Sequence, residues 1–420
     1  MRSCESLTTI VFVLLLSVVK SVRDFPGSYC AAKYPSGRCC PGRQDECNAP
    51  IHNTLCYCDD FCNRSSDDDC CPDFWSHCGG VNVTTTSAPE EIRRCFFQGR
   101  YYNINETLKD NCNKCKCIPM GRDATVYCEK DRCLVDDPDN IFWGTKLEEA
   151  KFFLGCDEPS EIFKQMKCIR RIFDPDILPR EFDARKHWPG YISGVVDQGK
   201  CSSSWVRSVA SIASDRFAIM SKGVERVDLS AQHLISCNMK NKGCEKGQTE
   251  IAWKFVKKFG LVDEACYPYT SGNGIAERCK LERNTTLKEA GCAPPPNPLR
   301  TELYKVGPTY RLCNENDIMY DILTWGPVQA IMMVYRDLFN YVAGTVYRHD
   351  RSLENDEIEL HAVRIIGWGE ESSFEESRKF WLVTNSWGEK WGDRGLFKIE
   401  RGTNESGIEM YVVGAYAKTI

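Results

Sequence analysis

The run Gln198-Gly199-Lys200-Cys201-Ser202-Ser203-Ser204-Trp205 leads into a segment whose apolar residues Val206, Val209, Ala210, Ala213 and Phe217 recur at three- and four-residue steps. That spacing predicts a helix from Ser204 to Lys222, with Gly223 as its C-terminal stop. Ser204 then falls at the helix N-terminus, where the dipole and the free N–H groups favour negative charge. A thiol in such a place, beside a histidine, has its pKa lowered to about 3–4. A serine hydroxyl starts far higher and is not ionised there; it depends on general-base help during attack.

Two further stretches extend the pattern. Leu360-His361-Ala362-Val363-Arg364-Ile365-Ile366-Gly367-Trp368-Gly369 places a histidine in an apolar strand, and Asn385-Ser386-Trp387-Gly388 is followed by Trp391-Gly392. A histidine in an apolar strand is more often structural than catalytic. With Gln198 and the two Trp motifs in this order, however, the chain from about Leu178 to the C-terminus resembles the papain-like cysteine proteases, and cathepsin B-type enzymes in particular. The family's nucleophile is the Cys directly before the Trp, and here that residue is Ser204. The resemblance implies an α+β, two-lobed domain over 178–420, with His361 as the former base, Asn385 orienting it and Gln198 as oxyanion donor. No active catalytic residue is expected; the four form a vestigial site.

Other departures point the same way. The family's G-C-x-G-G reads Gly243-Cys244-Glu245-Lys246-Gly247, so Lys246 replaces a glycine on the substrate-groove wall and is expected to crowd or recharge it. No histidine lies between Cys244 and Cys313, so the paired histidines of the cathepsin B occluding loop are absent. Tyr411 stands where cathepsin B has an acidic pocket residue. Leu178-Pro179-Arg180-Glu181-Phe182-Asp183 resembles the start of a mature enzyme, which leaves 134–177 as a propeptide-like segment with helix-like apolar spacing at Leu147, Phe152 and Phe153. It has no evident processing site. The resemblance further implies the disulfide Cys201–Cys244, and with it Cys237–Cys279 and Cys266–Cys292.

Cysteine organises the rest of the chain. There are 26, dense enough in short stretches to indicate disulfides formed in an oxidising compartment. Zinc at Cys112-x-x-Cys115 is the alternative. Residues 1–21, with Arg2, an apolar run from Thr9 to Val19 and Ser21, read as a signal peptide. Cys4 leaves with that peptide, so an odd number of cysteines remains and at least one is a free thiol or bridges two chains. Residues 26–80 resemble a somatomedin B domain, carried by Cys56, Cys58, Cys62, the pair Cys70-Cys71 and Cys78. Cys30, Cys39, Cys40 and Cys47 include two beyond its minimal set, so the connectivity stays open. Asp59, Asp60 and Asp67-Asp68-Asp69 form either a binding face or a solvated surface. A polar linker over 81–94 precedes 95–133, which resembles a von Willebrand factor C-like module. Sequons at Asn63, Asn82, Asn105, Asn284 and Asn404 fit a secretory route.

Somatomedin B-like and disarmed cathepsin B-like parts in one chain resemble the tubulointerstitial nephritis antigen family, secreted and catalytically inactive homologues of basement membranes. What the resemblance implies is a non-enzymatic glycoprotein of the extracellular matrix that binds laminin and collagen IV, with integrins or other cell-surface receptors as further partners. There is no Arg-Gly-Asp motif to locate an integrin site. The alternatives are a residual hydrolase using Ser204, His361 and Asn385, and a decoy that binds protease inhibitors through the cleft. The formal net charge of -5 gives no reason to expect nucleic acid. No metal or cofactor is expected, and no second apolar stretch approaches membrane-spanning length.

Overall fold

With few large apolar residues to bury, the N-terminal cysteine-rich stretch builds its interior from sulfur. A computed structural model describes residues 27–36, 39–51, 54–63, 69–78, 94–120, 123–282, 284–352, 357–372 and 377–420. The chain divides into two compact units, one up to Arg93 and one from Arg94 to Ile420. The apolar run of the expected signal peptide, the linker with Asn82, and Asp67 and Asp68 lie outside the described residues.

In the first unit, α1 (Tyr29–Lys33), the antiparallel strands β1 (Asn48–Ile51) and β2 (Thr54–Tyr57) and α2 (Phe74–His77) surround buried Ala49, Ile51 and Phe74. The bridges Cys30–Cys58, Cys39–Cys78, Cys40–Cys47, Cys56–Cys71 and Cys62–Cys70 fill the remaining interior. Asp73 caps the start of α1 from a distance: its carboxylate accepts from the N–H groups of Cys30 and Ala31 at 2.9 and 3.0 Å. Asp59 does not belong to an acidic face. It is buried, and its carboxylate accepts from the N–H of Gln44 at 2.8 Å.

The second unit opens with a hairpin, β3 (Arg94–Phe97) and β4 (Arg100–Asn103), and a three-stranded meander, β5 (Thr107–Asp110), β6 (Asn113–Met120) and β7 (Asp123–Cys128). Cys95–Cys117, Cys112–Cys133 and Cys115–Cys128 staple it, so the Cys112-x-x-Cys115 pair forms disulfides and not half of a zinc site. This module is continuous with the protease-like part. The Arg336 guanidinium donates to the carbonyls of Cys133 and Leu134, each at 3.0 Å. Phe142 packs edge-on against Phe339 and Trp387. The propeptide-like segment follows as a 3-10 helix, Leu147–Phe153, and a single turn, α3 (Glu161–Lys164). The winding is tighter than the expected helical period; short 3-10 pieces of this kind are common connectors.

The remainder forms two lobes. Short β8 (Phe182–Asp183) and α4 (Ala184–His187) lead to α5 (Ser204–Met220), which ends two residues before the expected Lys222. Gly223 follows with φ +86°, a conformation that suits glycine. Helices α6 (Ala231–Cys237) and α7 (Thr249–Lys258) pack on α5 to make one core. Strand β9 (Val306–Leu312), helix α8 (Glu315–Trp325) and strands β10 (Val328–Tyr335), β11 (Val346–Tyr347), β12 (Glu357–Ser372), β13 (Ser377–Thr384), β14 (Leu396–Glu400) and β15 (Tyr411–Ala417) supply the other. The sheet order is β11-β14-β13-β12-β10-β15-β9, with β8 beside β12.

A buried ion pair ties the lobes near their junction: Arg364 on β12 donates to Asp215 on α5 at 2.8 Å. Charges so buried cost desolvation, which only paired geometry offsets. Removing either partner would leave an uncompensated charge between the elements that carry Ser204 and His361. Among the described residues no helix is long and apolar enough to cross a membrane. Asn105, Asn284 and Asn404 are exposed, and Asn63 ends a 3-10 turn.

Candidate functional site

The N-terminus of α5, the middle of β12 and the loop after β13 converge. Ser204 is fully buried at the first position of α5, and its Oγ accepts from the N–H of Ala362 at 3.2 Å. His361 is also fully buried, with Nε2 2.8 Å from Asn385 Oδ1. An amide oxygen only accepts, so Nε2 carries the proton and the lone pair is on Nδ1. That Nδ1 has no hydrogen-bond partner, Ser204 Oγ included. Burial pushes the imidazole down to about 4, against a smaller upward pull from Asn385. The histidine is therefore neutral at physiological pH. The thiolate–imidazolium charge pair of an active relative has no counterpart, since neither the hydroxyl nor this ring is ionised.

Gln198, which the papain-like resemblance would make an oxyanion donor, is occupied. Its Nε2 donates to the Leu154 carbonyl at 2.8 Å and to the Cys201 carbonyl at 2.9 Å, while its Oε1 accepts from Ser386 Oγ at 2.6 Å. Leu154 belongs to the propeptide-like segment, and the residues after it run along the groove. The Cys156 N–H donates to the Leu360 carbonyl at 3.2 Å, the Asp157 N–H to the Gly247 carbonyl at 3.0 Å, and the Gly247 N–H to the Gly155 carbonyl at 3.3 Å. Gly155 has φ +128°, and a Cβ there would lie 2.1 Å from the Ser202 carbonyl oxygen, so only glycine lets the chain pass this close. The backbone groups of Gly247 and Leu360 are thus paired with the protein's own chain.

The groove's altered residues have partners too. Lys246 reaches across to Glu359 on β12, with Nζ 2.6 Å from Oε1. Tyr411 packs beside Cys156 in a small apolar cluster with Ile331 and Ala362, and the Arg311 guanidinium lies over its ring at 5.3 Å. Cys156 is the unpaired cysteine among the described residues and is buried. Burial raises its thiol well above the usual range, with Asp157 and Glu250 adding to the effect. The odd cysteine is therefore an enclosed thiol, unsuited to bridging two chains.

Cys201 is joined to Cys244, Cys237 to Cys279 and Cys266 to Cys292. A further bridge, Cys168–Cys313, joins the propeptide-like segment to the protease-like part. Sequence reasoning missed both this bridge and the role of Leu154 to Asp157. The signal available was the set of three cysteines, Cys156, Cys168 and Cys313, left over once the resemblance had placed the other six of this region. Around the bridge, Arg171 donates to buried Asp321 at 2.6 Å, which also receives Arg216 at 2.6 Å. Arg311 donates to the Lys164 carbonyl at 2.6 Å.

Comparison with known proteins places this geometry. Residues 178–416 match the papain family of cysteine proteases. The human protein named tubulointerstitial nephritis antigen-like is 37% identical over 95% of this chain and 90% of its own length. Human tubulointerstitial nephritis antigen is 36% identical over 94% and 88%. A cathepsin B-like cysteine proteinase of Schistosoma japonicum is 33% identical over 65% of this chain and 84% of its own. Among solved structures, procathepsin B S9 from Trypanosoma congolense superposes with a TM-score of 0.55 at 30% identity, covering 65% of this chain and 89% of that one. The chain belongs to the tubulointerstitial nephritis antigen family, and its larger part has the papain-like, cathepsin B-like fold.

Proposed function

We propose that this protein is a secreted, non-enzymatic glycoprotein of the extracellular matrix, in which a protease-like domain serves as scaffold. One observation carries the non-enzymatic reading: Gly155 to Asp157 bond to the backbone of Gly247 and Leu360 beside Ser204 and His361, and Gln198 is spent on Leu154. A serine with no base hydrogen-bonded to it lacks an ionised nucleophile, and the backbone groups beside it that a peptide would use are bonded to the protein's own chain. The same occupancy weighs against a decoy for protease inhibitors, which would need the groove open.

Secretion and matrix residence are supported by the disulfides of both units, by exposed sequons at Asn105, Asn284 and Asn404, and by the extracellular character of the family. Laminin, collagen IV and cell-surface receptors are the partners this reading carries. The rigid, disulfide-stapled modules present loops that lose little freedom on binding. The test is solid-phase binding of the full secreted chain to laminin and to collagen IV, beside a peptidase assay on the same preparation. Binding without hydrolysis is the expected result. Hydrolysis abolished by Ser204→Ala would replace this reading with that of a residual hydrolase.

A further inference from the structure

The meander β5–β7 has two unlike faces. Cys115, Cys117 and Cys128 alternate with the outward residues and carry the disulfides. The opposite face shows Thr107, Lys109, Lys114, Lys116, Thr125 and Tyr127, all exposed, with exposed Met120 and Asp123 at its far end. The register sets Lys109 directly opposite Lys114, Thr107 opposite Lys116, and Lys116 opposite Tyr127. Side chains directly opposite stand about 5 Å apart, and alternate residues of one strand about 7 Å apart. Like charges in directly opposite positions destabilise a sheet. Folding alone therefore gives no reason for this arrangement.

Asp123 stands on this face as well, opposite Met120 and four residues along β7 from Tyr127, and the module's other acidic groups are engaged elsewhere. Glu106 accepts from the N–H of Asn103 at 2.8 Å and Asp110 from Gln98 at 3.1 Å. Glu129 turns to the backbone N–H of Lys114 at 3.1 Å and towards Lys146 at 3.9 Å, and Asp131 is paired with Lys146 at 2.5 Å. None of Lys109, Lys114 and Lys116 makes an ion pair among the described residues. Beside them, Tyr127 is 64% exposed and offers a ring on a flat, disulfide-held surface.

We propose that this face of β5–β7 docks a sulfated polysaccharide. The lysines supply a local array of cations for a linear polyanion, and Tyr127 supplies a platform for a sugar ring. A disulfide-held sheet face of lysines and threonines fits an extended chain lying across it better than insertion into a lipid surface. Sulfate groups at the lysines would relieve the Lys109–Lys114 repulsion, which is a gain made only on binding. The net charge of -5 for the whole chain disfavours general attraction to polyanions, so retention would have to come from a local array. The proposal goes beyond the matrix reading, and either can fail while the other stands.

The experiment uses the full secreted chain on immobilised heparin and on its desulfated form, with phosphatidylserine vesicles as a third arm. Retention on heparin at physiological salt, release at higher salt and no retention on the desulfated form are expected. The variant Lys109→Ser/Lys114→Ser/Lys116→Ser should bind about tenfold more weakly, as expected for three exposed ion pairs lost together. Its melting temperature should not fall, since the side chains are exposed. A control, Lys240→Ser/Lys254→Ser/Lys258→Ser, removes equal charge elsewhere and should elute like the natural chain. Equal weakening by both triple variants, retention on desulfated heparin, or stronger capture by the vesicles would overturn the proposal.

Discussion

The side-chain amide of Gln198 donates to the backbone carbonyl of Leu154 at 2.8 Å, placing the protein's own chain against the donor beside the Ser204 helix start. The contact links two regions 44 residues apart and makes the propeptide-like segment part of the cleft. Several consequences can be measured.

Restoring the nucleophile alone should restore little. Ser204→Cys places a thiol at the start of α5, but the groove stays paired with Gly155, Cys156 and Asp157. Only molecules with the segment displaced can bind substrate, so turnover should stay below about 1% of that of an active papain-family enzyme. Peptide hydrolysis and labelling with a covalent active-site probe read this directly. Robust turnover from the single change would mean the segment leaves the groove readily.

The bridge Cys168–Cys313 predicts that cleavage before Leu178 releases nothing. Ile172 is fully exposed and Ile177 half-exposed, and Arg170 is exposed beside them, so the stretch between the bridge and the protease-like start is open to trypsin at Arg170. After nicking there, the chain should run as one species without reductant and as two with it. In the variant Cys168→Ser/Cys313→Ser the two pieces should separate in denaturant without reduction. Separation of nicked natural chain under non-reducing conditions would contradict the bridge.

Gly155→Ala should be severely destabilising for its size. The new Cβ meets the Ser202 carbonyl at 2.1 Å, and φ +128° is strained for any L side chain. A cost of about 3 kcal/mol or more is expected. It should appear either as a lower melting temperature or as exposure of Cys156 to thiol reagents. In the natural protein Cys156 should react only after denaturation, at about one thiol per chain, since burial keeps it protonated and enclosed. An unperturbed melting temperature together with an unreactive Cys156 would show that Gly155 is not held as described.

His361 should make the second unit sensitive to mild acid. The unfolded side chain titrates near 6.5, and burial lowers it to about 4 in the folded state. Between those values the unfolded chain binds a proton that the folded chain refuses. Stability is therefore full above about pH 6.5 and falls as the pH drops towards 4, by up to about 3 kcal/mol. His233, also lowered to about 4 by burial, adds to the same window. Denaturant unfolding of His361→Gln should show a shallower loss across pH 6.5 to 4 than the natural chain. Parallel curves would mean that the folded His361 titrates normally.

Domain dissection should respect the structural boundary. A fragment covering 30–133 follows the cysteine pattern but cuts the second unit, because Arg336 and Phe142 bind the module to the protease-like part. A division at Arg93 and Arg94 separates the two compact units instead. The piece 94–420 should unfold in one cooperative transition, while 30–133 should show non-native disulfides in its second half. Cooperative, native-like folding of 30–133 would show the module to be autonomous.

Much was decided by local pattern. The apolar steps after Ser204 gave a helix and put that residue at its N-terminus, because helical period and capping are short-range properties. The order Gln198, Ser204, His361 and Asn385 pointed to one place in the fold, and the structure brings these residues together there. What only the tertiary structure decided was occupancy and pairing. The path of Leu154 to Asp157 depends on backbone groups, which every residue carries alike, so no side-chain pattern announces it. The partners of Cys168, and the enclosure of Cys156, depend on which surfaces the folded chain brings together across 145 residues in one case and a groove in the other. Lys246 could be read as an intruder in the groove, but its ion pair with Glu359 became visible only when β12 lay opposite. Composition and spacing specify which groups are present; the packing of two lobes and a returning strand specifies which of them meet.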